Sequence, residues 1–150
     1  MTLVVHFIGP SGSGKTTLIE KLIRRLKAKG LRVGAVKHAH HGFTMDKPGK
    51  DSYRFRHAGA AAVSVVSPHA TALLCRRPPR QAPARWLMRA YPHLDIILVE
   101  GFRHTKDWRF HVQMDGRGKP LKKGGKVLGV ASRTDKPSDI ARLIMEKFNP

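Results

Sequence analysis

The sequence is poor in cysteine, in acidic residues and in aromatics, and it has no long apolar run. Cys75 is the single cysteine, which excludes an internal disulfide and fits the reducing cytoplasm. It lies in the apolar stretch Thr71-Ala72-Leu73-Leu74-Cys75, which predicts a buried structural thiol rather than a nucleophile. The longest nearly apolar run, Ala58 to Val66, is far too short to span a bilayer, so no membrane partner is expected. The stretch Met1 to Ile8 lacks the basic start and small-residue cleavage site of a signal peptide. A soluble, cytoplasmic protein is expected.

The shortage of acids leaves a strongly basic chain. There are 29 Lys+Arg against 10 Asp+Glu, a formal net charge of +19. Such an excess raises nucleic acid as a partner. The basic residues, however, are spread along the chain. Their densest groups, Arg76-Arg77-Pro78-Pro79-Arg80 and Lys119 to Lys126, carry no interleaved aromatics to stack on bases. Weak nonspecific binding at low salt is expected, and specific nucleic-acid recognition is not.

What is present is an alternation of strands and helices. Residues 2–8 read as a short, buried, β-branched strand. A helix from about Lys15 to Lys29 places Leu18, Ile19, Leu22, Ile23 and Leu26 on one face, and Gly30 is its natural stop. Leu31 to Lys37 reads as a second strand, so strand, crossover helix and strand build a parallel sheet. His38 to Lys50 is a loop, and Asp51 to Ala58 a short helix with Asp51 as a plausible N-cap. Ala61 to Ser67 and Thr71 to Arg76 read as a hairpin about a Pro68-His69 turn. A proline-rich stretch, Arg77 to Pro83, precedes a helix around Ala84 to Tyr91. Asp95 to Val99 is a buried strand that runs into Glu100-Gly101. Arg109 to Met114 and Lys126 to Ser132 are further strands, and a last helix, about Ser138 to Phe148, buries Ile140, Leu143, Ile144 and Phe148. The expected fold is a three-layer α/β domain of P-loop NTPase type, its mainly parallel sheet flanked by helices and residues 1–150 forming one nucleotide-binding domain.

The chemistry concentrates after the first strand. Gly9-Pro10-Ser11-Gly12-Ser13-Gly14-Lys15-Thr16 satisfies the G-x-x-x-x-G-K-[ST] pattern, between an apolar strand and an amphipathic helix. Gly12 and Gly14 permit the backbone to turn successive N–H groups inward as an anion nest, and the helix N-terminus adds partial positive charge. Gly9, Ser11, Gly12, Ser13, Gly14, Lys15, Thr16 and Thr17 are therefore the candidate phosphate site. Lys15 reaches the β- and γ-phosphates and Thr16 ligates Mg²⁺. The metal needs acidic help. Ligands in open α/β sheets bind at the carboxyl ends of strands, which selects Glu100 over Asp95 as the acid that holds Mg²⁺ through water or orients an attacking water. Asp95 is left as a strand-start or solvated carboxylate. In the loop after the second strand, Lys37 and His38 are candidate phosphate contacts. Asp46 is a candidate for the Mg²⁺ shell, and Asp51 suits either that shell or the helix cap. His38, His40 and His41 also fit a Zn or Ni site by ligand type, although three histidines within four residues do not readily face one ion.

At these residues the chain resembles the molybdopterin-guanine dinucleotide biosynthesis adapter family of MobB type. The resemblance rests on residues 9–18, Lys37-His38-Ala39-His40-His41, Asp46-Lys47-Pro48-Gly49-Lys50-Asp51-Ser52-Tyr53, Ala58-Gly59-Ala60 and Val99-Glu100-Gly101-Phe102. It implies a GTP-binding protein with feeble GTPase activity that assists the attachment of GMP to molybdopterin. It further implies a homodimer that works with a molybdopterin guanylyltransferase and the molybdopterin cofactor. By position it gives Gly12 to Thr17 to the phosphates, Glu100 to the second acidic motif, and Lys37, His38 and Asp46 to a switch-like loop. Thr44 stands where many relatives carry an acid, and Asp107-Trp108-Arg109-Phe110 replaces the family's Pro-Lys-Ile-like stretch. No Asn-Lys-x-Asp guanine motif is present, so GTP over ATP rests on the resemblance; Asp135 fits either the guanine amino group or a helix cap. Two other functions share the motif: a small-molecule P-loop kinase with lid arginines from Arg76 to Arg89, and a metal-delivery GTPase for a nickel enzyme. Arg103 is the nearest candidate for a catalytic arginine.

Overall fold

The computed structural model describes residues 2–39, 42–75, 83–102, 108–113, 126–132 and 135–148. Of the segments Arg77 to Pro83 and Lys119 to Lys126, residues 77–82 and 119–125 lie outside them, as do His40, His41 and Arg103. The chain divides into two compact units, residues 1–38 with 83–150, and residues 39–82.

Among the described residues the larger unit holds β1 (Leu3–Ile8), β2 (Val33–Lys37), β5 (Ile96–Glu100), β6 (Trp108–Gln113) and β7 (Val127–Ser132). They form one sheet in the order β2-β5-β1-β6-β7, and every neighbouring pair is parallel. Helix α1 (Lys15–Ala28), α3 (Pro83–Ala90) and α4 (Pro137–Met145) complete the unit. The side-chain period of two divides β1 and β5 between two layers. Leu3, Val5 and Phe7 with Ile96 and Leu98 meet Leu18, Ile19, Leu22 and Leu26 of α1 and Ile140, Ala141 and Ile144 of α4. On the opposite face Val4, Ile97 and Val99 pack with Val36, Ala84, Leu87 and Met88. Each fully buried Leu, Ile or Phe in these layers contributes about 1.5–3 kcal/mol. This is the three-layer α/β fold expected.

The crossover helix is set at both ends by glycine. Gly14 caps α1 at φ 90°. At the other end Gly30, at φ 82°, donates its N–H to Lys27 O at 2.9 Å, and Leu31 N–H reaches Leu26 O at 3.2 Å, a Schellman closure. Helix α4 corrects the sequence reading. Its buried residues are Ile140, Ala141 and Ile144, while Leu143 is exposed and Phe148 only partly buried. The inward stripe follows i, i+1, i+4, and it takes a small residue in place of a large one.

The smaller unit contains α2 (Asp51–His57) and an antiparallel hairpin of β3 (Ala62–Val66) and β4 (Thr71–Cys75). The expected turn at Pro68-His69 is present: Ser67 N–H donates to Ala70 O at 2.8 Å, and Ser67 Oγ accepts from Ala70 N–H at 3.0 Å. Two expectations fail here. Cys75 is exposed, because among the described residues β4 pairs only with β3 and its outward positions Thr71, Leu73 and Cys75 face solvent. Asp51 is not the N-cap of α2. Lys50 holds that position without a side-chain cap, and Asp51 sits in the first turn, 3.8 Å from Arg54.

Candidate functional site

The parallel register places the carboxyl ends of three strands side by side. Phe7 of β1 is level with Glu100 of β5, and Lys37 of β2 is level with Glu100 on the other side. The loop 9–14 leaves β1 at this edge and enters α1. Gly12 and Gly14 take φ of 73° and 90°, a left-handed backbone that other residues adopt at a cost of about 1–2 kcal/mol. Ser13 is fully buried in the loop, and its N–H donates to Pro10 O at 3.3 Å. The first turn of α1 carries no acidic residue of its own to offset the positive end of the helix. Lys15 Nζ lies over the loop, donating to Gly9 O at 3.1 Å, Pro10 O at 2.5 Å and Ser13 Oγ at 3.3 Å. Gly9, Ser11, Gly12, Ser13, Gly14, Thr16 and Thr17 thus belong to one loop-helix junction, under one ammonium.

The two expected metal oxygens of this unit meet directly. Thr16 Oγ1 donates to Glu100 Oε2 at 2.8 Å, joining α1 to the end of β5. A hydroxyl and a carboxylate are hard oxygen donors, the set that suits Mg²⁺. Asp95 lies at the opposite end of β5 and does something else. Its Oδ2 accepts from Arg32 N–H at 2.7 Å and Nε at 3.2 Å, and Oδ1 accepts from Arg32 Nη2 at 3.0 Å. The guanidinium and the backbone N–H hold the Asp95 carboxyl down at about 2, and the same hydrogen bond raises Arg32. The two acids at the ends of β5 thus meet different partners, Thr16 for Glu100 and Arg32 for Asp95.

After Glu100 the chain turns sharply. Gly101, at φ 98°, donates its N–H to Phe7 O at 3.0 Å, while Glu100 O accepts from His38 N–H at 2.9 Å. Phe102 follows at φ 57°, uncommon for an aromatic residue. The His38 ring stacks on it at 4.1 Å and 15°, and buried His6 meets it edge-on at 6.5 Å. His6 Nδ1 lies 3.3 Å from Gly101 O; a carbonyl only accepts, so this nitrogen carries the proton. Sequence reasoning missed His6 and the role of Phe102. A histidine inside an otherwise apolar strand was the available signal.

Asp46 belongs to the smaller unit and is 8% exposed. Its Oδ1 accepts from Ser52 Oγ at 2.8 Å, and Oδ2 lies 3.9 Å from Arg56 Nη1. These contacts tie the loop 42–50 to α2. Asp135 is not a helix cap: its Oδ2 accepts from Ser132 N–H at 2.7 Å, while Lys136 precedes α4.

The sequence model of Molybdopterin guanine dinucleotide synthesis protein B matches residues 4–133. The molybdopterin-guanine dinucleotide biosynthesis adapter protein of Escherichia coli K12 is 40% identical over 149 residues, covering 95% of this chain and 85% of that protein. Its counterpart from Haemophilus influenzae is 36% identical over 141 residues, covering 92% and 78%. Among solved structures, MobB of Bacillus subtilis superimposes with a TM-score of 0.73 at 21% identity, over 98% of both chains. The chain belongs to the molybdopterin guanine dinucleotide synthesis protein B family.

Proposed function

We propose that this protein is a GTP-binding adapter with weak intrinsic GTPase activity that assists the attachment of GMP to molybdopterin. The observation that carries the nucleotide reading is the Thr16–Glu100 hydrogen bond beside the phosphate loop. It brings a hydroxyl and a carboxylate to the N-terminus of α1, where the pattern G-x-x-x-x-G-K-[ST] needs them. The adapter reading is supported by the family and by relatives whose names state that role. Residues 1–150 then work as one nucleotide-binding domain, in a homodimer that serves a molybdopterin guanylyltransferase.

In this reading the backbone N–H groups of residues 12–17 bind the α- and β-phosphates, and Lys15 exchanges its loop carbonyls for β- and γ-phosphate oxygens. Lys37, exposed and level with Glu100, adds a second positive charge at the same edge. Thr16 and Glu100 hold Mg²⁺, which supplies charge neutralisation along the triphosphate. Glu100 also orients the attacking water. Asp46, also a candidate for the shell, accepts from Ser52 through Oδ1 and has Oδ2 3.9 Å from Arg56 within its own unit. Turnover is slow until a partner completes the site, as in GTPases that receive an arginine in trans.

Calorimetric titration of GTP and then ATP, each with Mg²⁺, into the wild type and Lys15→Ala tests the proposal. Tight GTP binding, weak ATP binding and loss in the variant are expected. An ATP preference with rapid phosphotransfer to a metabolite would overturn the adapter reading in favour of a kinase. Brisk GTP turnover by the isolated protein would remove the need for a partner.

A further inference from the structure

Resting on the nucleotide reading above, we infer that His38 is a positioning residue for Glu100, acting through the Glu100-Gly101-Phe102 turn rather than by contact with phosphate. Three contacts of one residue converge on that turn. The His38 N–H donates to Glu100 O at 2.9 Å. Its β-carbon occupies the space that a side chain on residue 101 would fill, 2.9 Å from where such a carbon would lie. Its ring lies flat on Phe102, 4.1 Å away and tilted by 15°. Each contact restrains a different residue of the turn.

The turn needs restraint. Gly101 and Phe102 both have positive φ, 98° and 57°, and such a conformation in a bulky residue persists only where its surroundings hold it. Phe102 packs into the apolar layer of Ile97 and Val99. Its ring also contacts His38 and His6. The first residue of the turn carries the carboxylate that meets Thr16. A small displacement of the turn therefore moves Oε2 away from Thr16 Oγ1. Groups that orient a metal ligand without touching the metal typically change metal affinity by about 10–100-fold when removed.

Stacking requires a flat ring, whereas a phosphate contact requires an N–H. Two variants separate the roles: His38→Ala removes the ring, and His38→Phe keeps it without nitrogen. GTP affinity is measured by calorimetry with Mg²⁺ and again in EDTA, with thermal melts to establish folding. In His38→Ala the Mg²⁺-dependent gain in affinity is expected to fall about tenfold while affinity in EDTA stays unchanged, and His38→Phe is expected to restore the gain. Equal losses in both variants, present in EDTA, would overturn the inference and make His38 a phosphate ligand. An unchanged Mg²⁺ gain in His38→Ala would also overturn it. A second readout needs no nucleotide. The Thr16 methyl resonance should move in Glu100→Gln and in His38→Ala, and return in His38→Phe. No movement in His38→Ala would refute the positioning role even if the wild type bound no GTP, and that absence of binding would refute the nucleotide reading separately.

Discussion

Gly101→Ala is a sharp perturbation of the site because two costs fall on one carbon. The first is conformational: at φ 98° an alanine sits in a left-handed region at about 1–2 kcal/mol. The second is steric. The new β-carbon would lie 2.9 Å from His38 Cβ and 3.7 Å from Cγ and Nδ1. Rotating the imidazole cannot relieve the shortest contact, because Cβ does not move with χ1. The backbone of His38 must shift instead, against its hydrogen bond to Glu100 O. Such overpacking costs about 1–3 kcal/mol, so the total is roughly 2–5 kcal/mol.

Gly30→Ala is the matched control. It has a similar φ of 82° and nothing within 4 Å of the added carbon, so its loss is the conformational part alone, about 1–2 kcal/mol. Urea unfolding at constant slope measures both losses. The contact predicts a specific pattern of rescue. In the Gly101→Ala background, His38→Ala retains the offending β-carbon and gives no relief, whereas His38→Gly removes it and recovers the steric part. Comparison with each His38 variant alone cancels their own backbone effects. Gly101→Ala costing no more than Gly30→Ala would refute the reasoning. Equal rescue by His38→Ala and His38→Gly would refute it too.

Two further predictions concern Asp46 and Asp95. Asp46→Ala deletes a buried acceptor of the Ser52 hydroxyl and should cost about 1–3 kcal/mol; Asp46→Asn, which keeps an acceptor oxygen, should cost less, as read by urea unfolding. Equal losses would show that this hydrogen bond does not govern the unit. For Asp95 the folded pKa is depressed from 3.8 to about 2 by Arg32, so its contribution is present above the unfolded value and lost as pH falls from about 4 towards 2. The stability difference between wild type and Asp95→Asn should therefore shrink across that window, and a difference that grew on acidification would contradict the assignment.

The features legible in the sequence were those written in local period or strand polarity. Leu18, Ile19, Leu22 and Leu26 announced the buried face of α1 through the helical repeat, and Gly30 announced its end. Glu100 was separable from Asp95 because ligands gather at the carboxyl ends of parallel strands, and the two acids indeed meet different partners, Thr16 and Arg32. Burial was less legible, because it depends on what covers a segment. The run Thr71 to Cys75 is apolar, but it belongs to a two-stranded ribbon whose outward positions stay wet. Asp51 had the chemistry of a cap but stands one residue inside its helix. The clamp of His6, His38 and Phe102 draws on three distant segments, and only the sheet order β2-β5-β1 brings them together. Among the described residues no helix is long and apolar enough to cross a membrane.

The central claim is that Thr16 and Glu100 together hold the Mg²⁺ of a bound nucleoside triphosphate. The most direct test is the Kd for GTP, with Mg²⁺ and in EDTA, for the wild type, Thr16→Ala, Glu100→Gln and the double variant. Each single variant should lose most of the Mg²⁺-dependent gain, about 10–100-fold, and the double variant should lose little more than either, because one site is removed twice. Full retention of the Mg²⁺ gain in Glu100→Gln would contradict the claim and leave the Thr16–Glu100 hydrogen bond a structural contact.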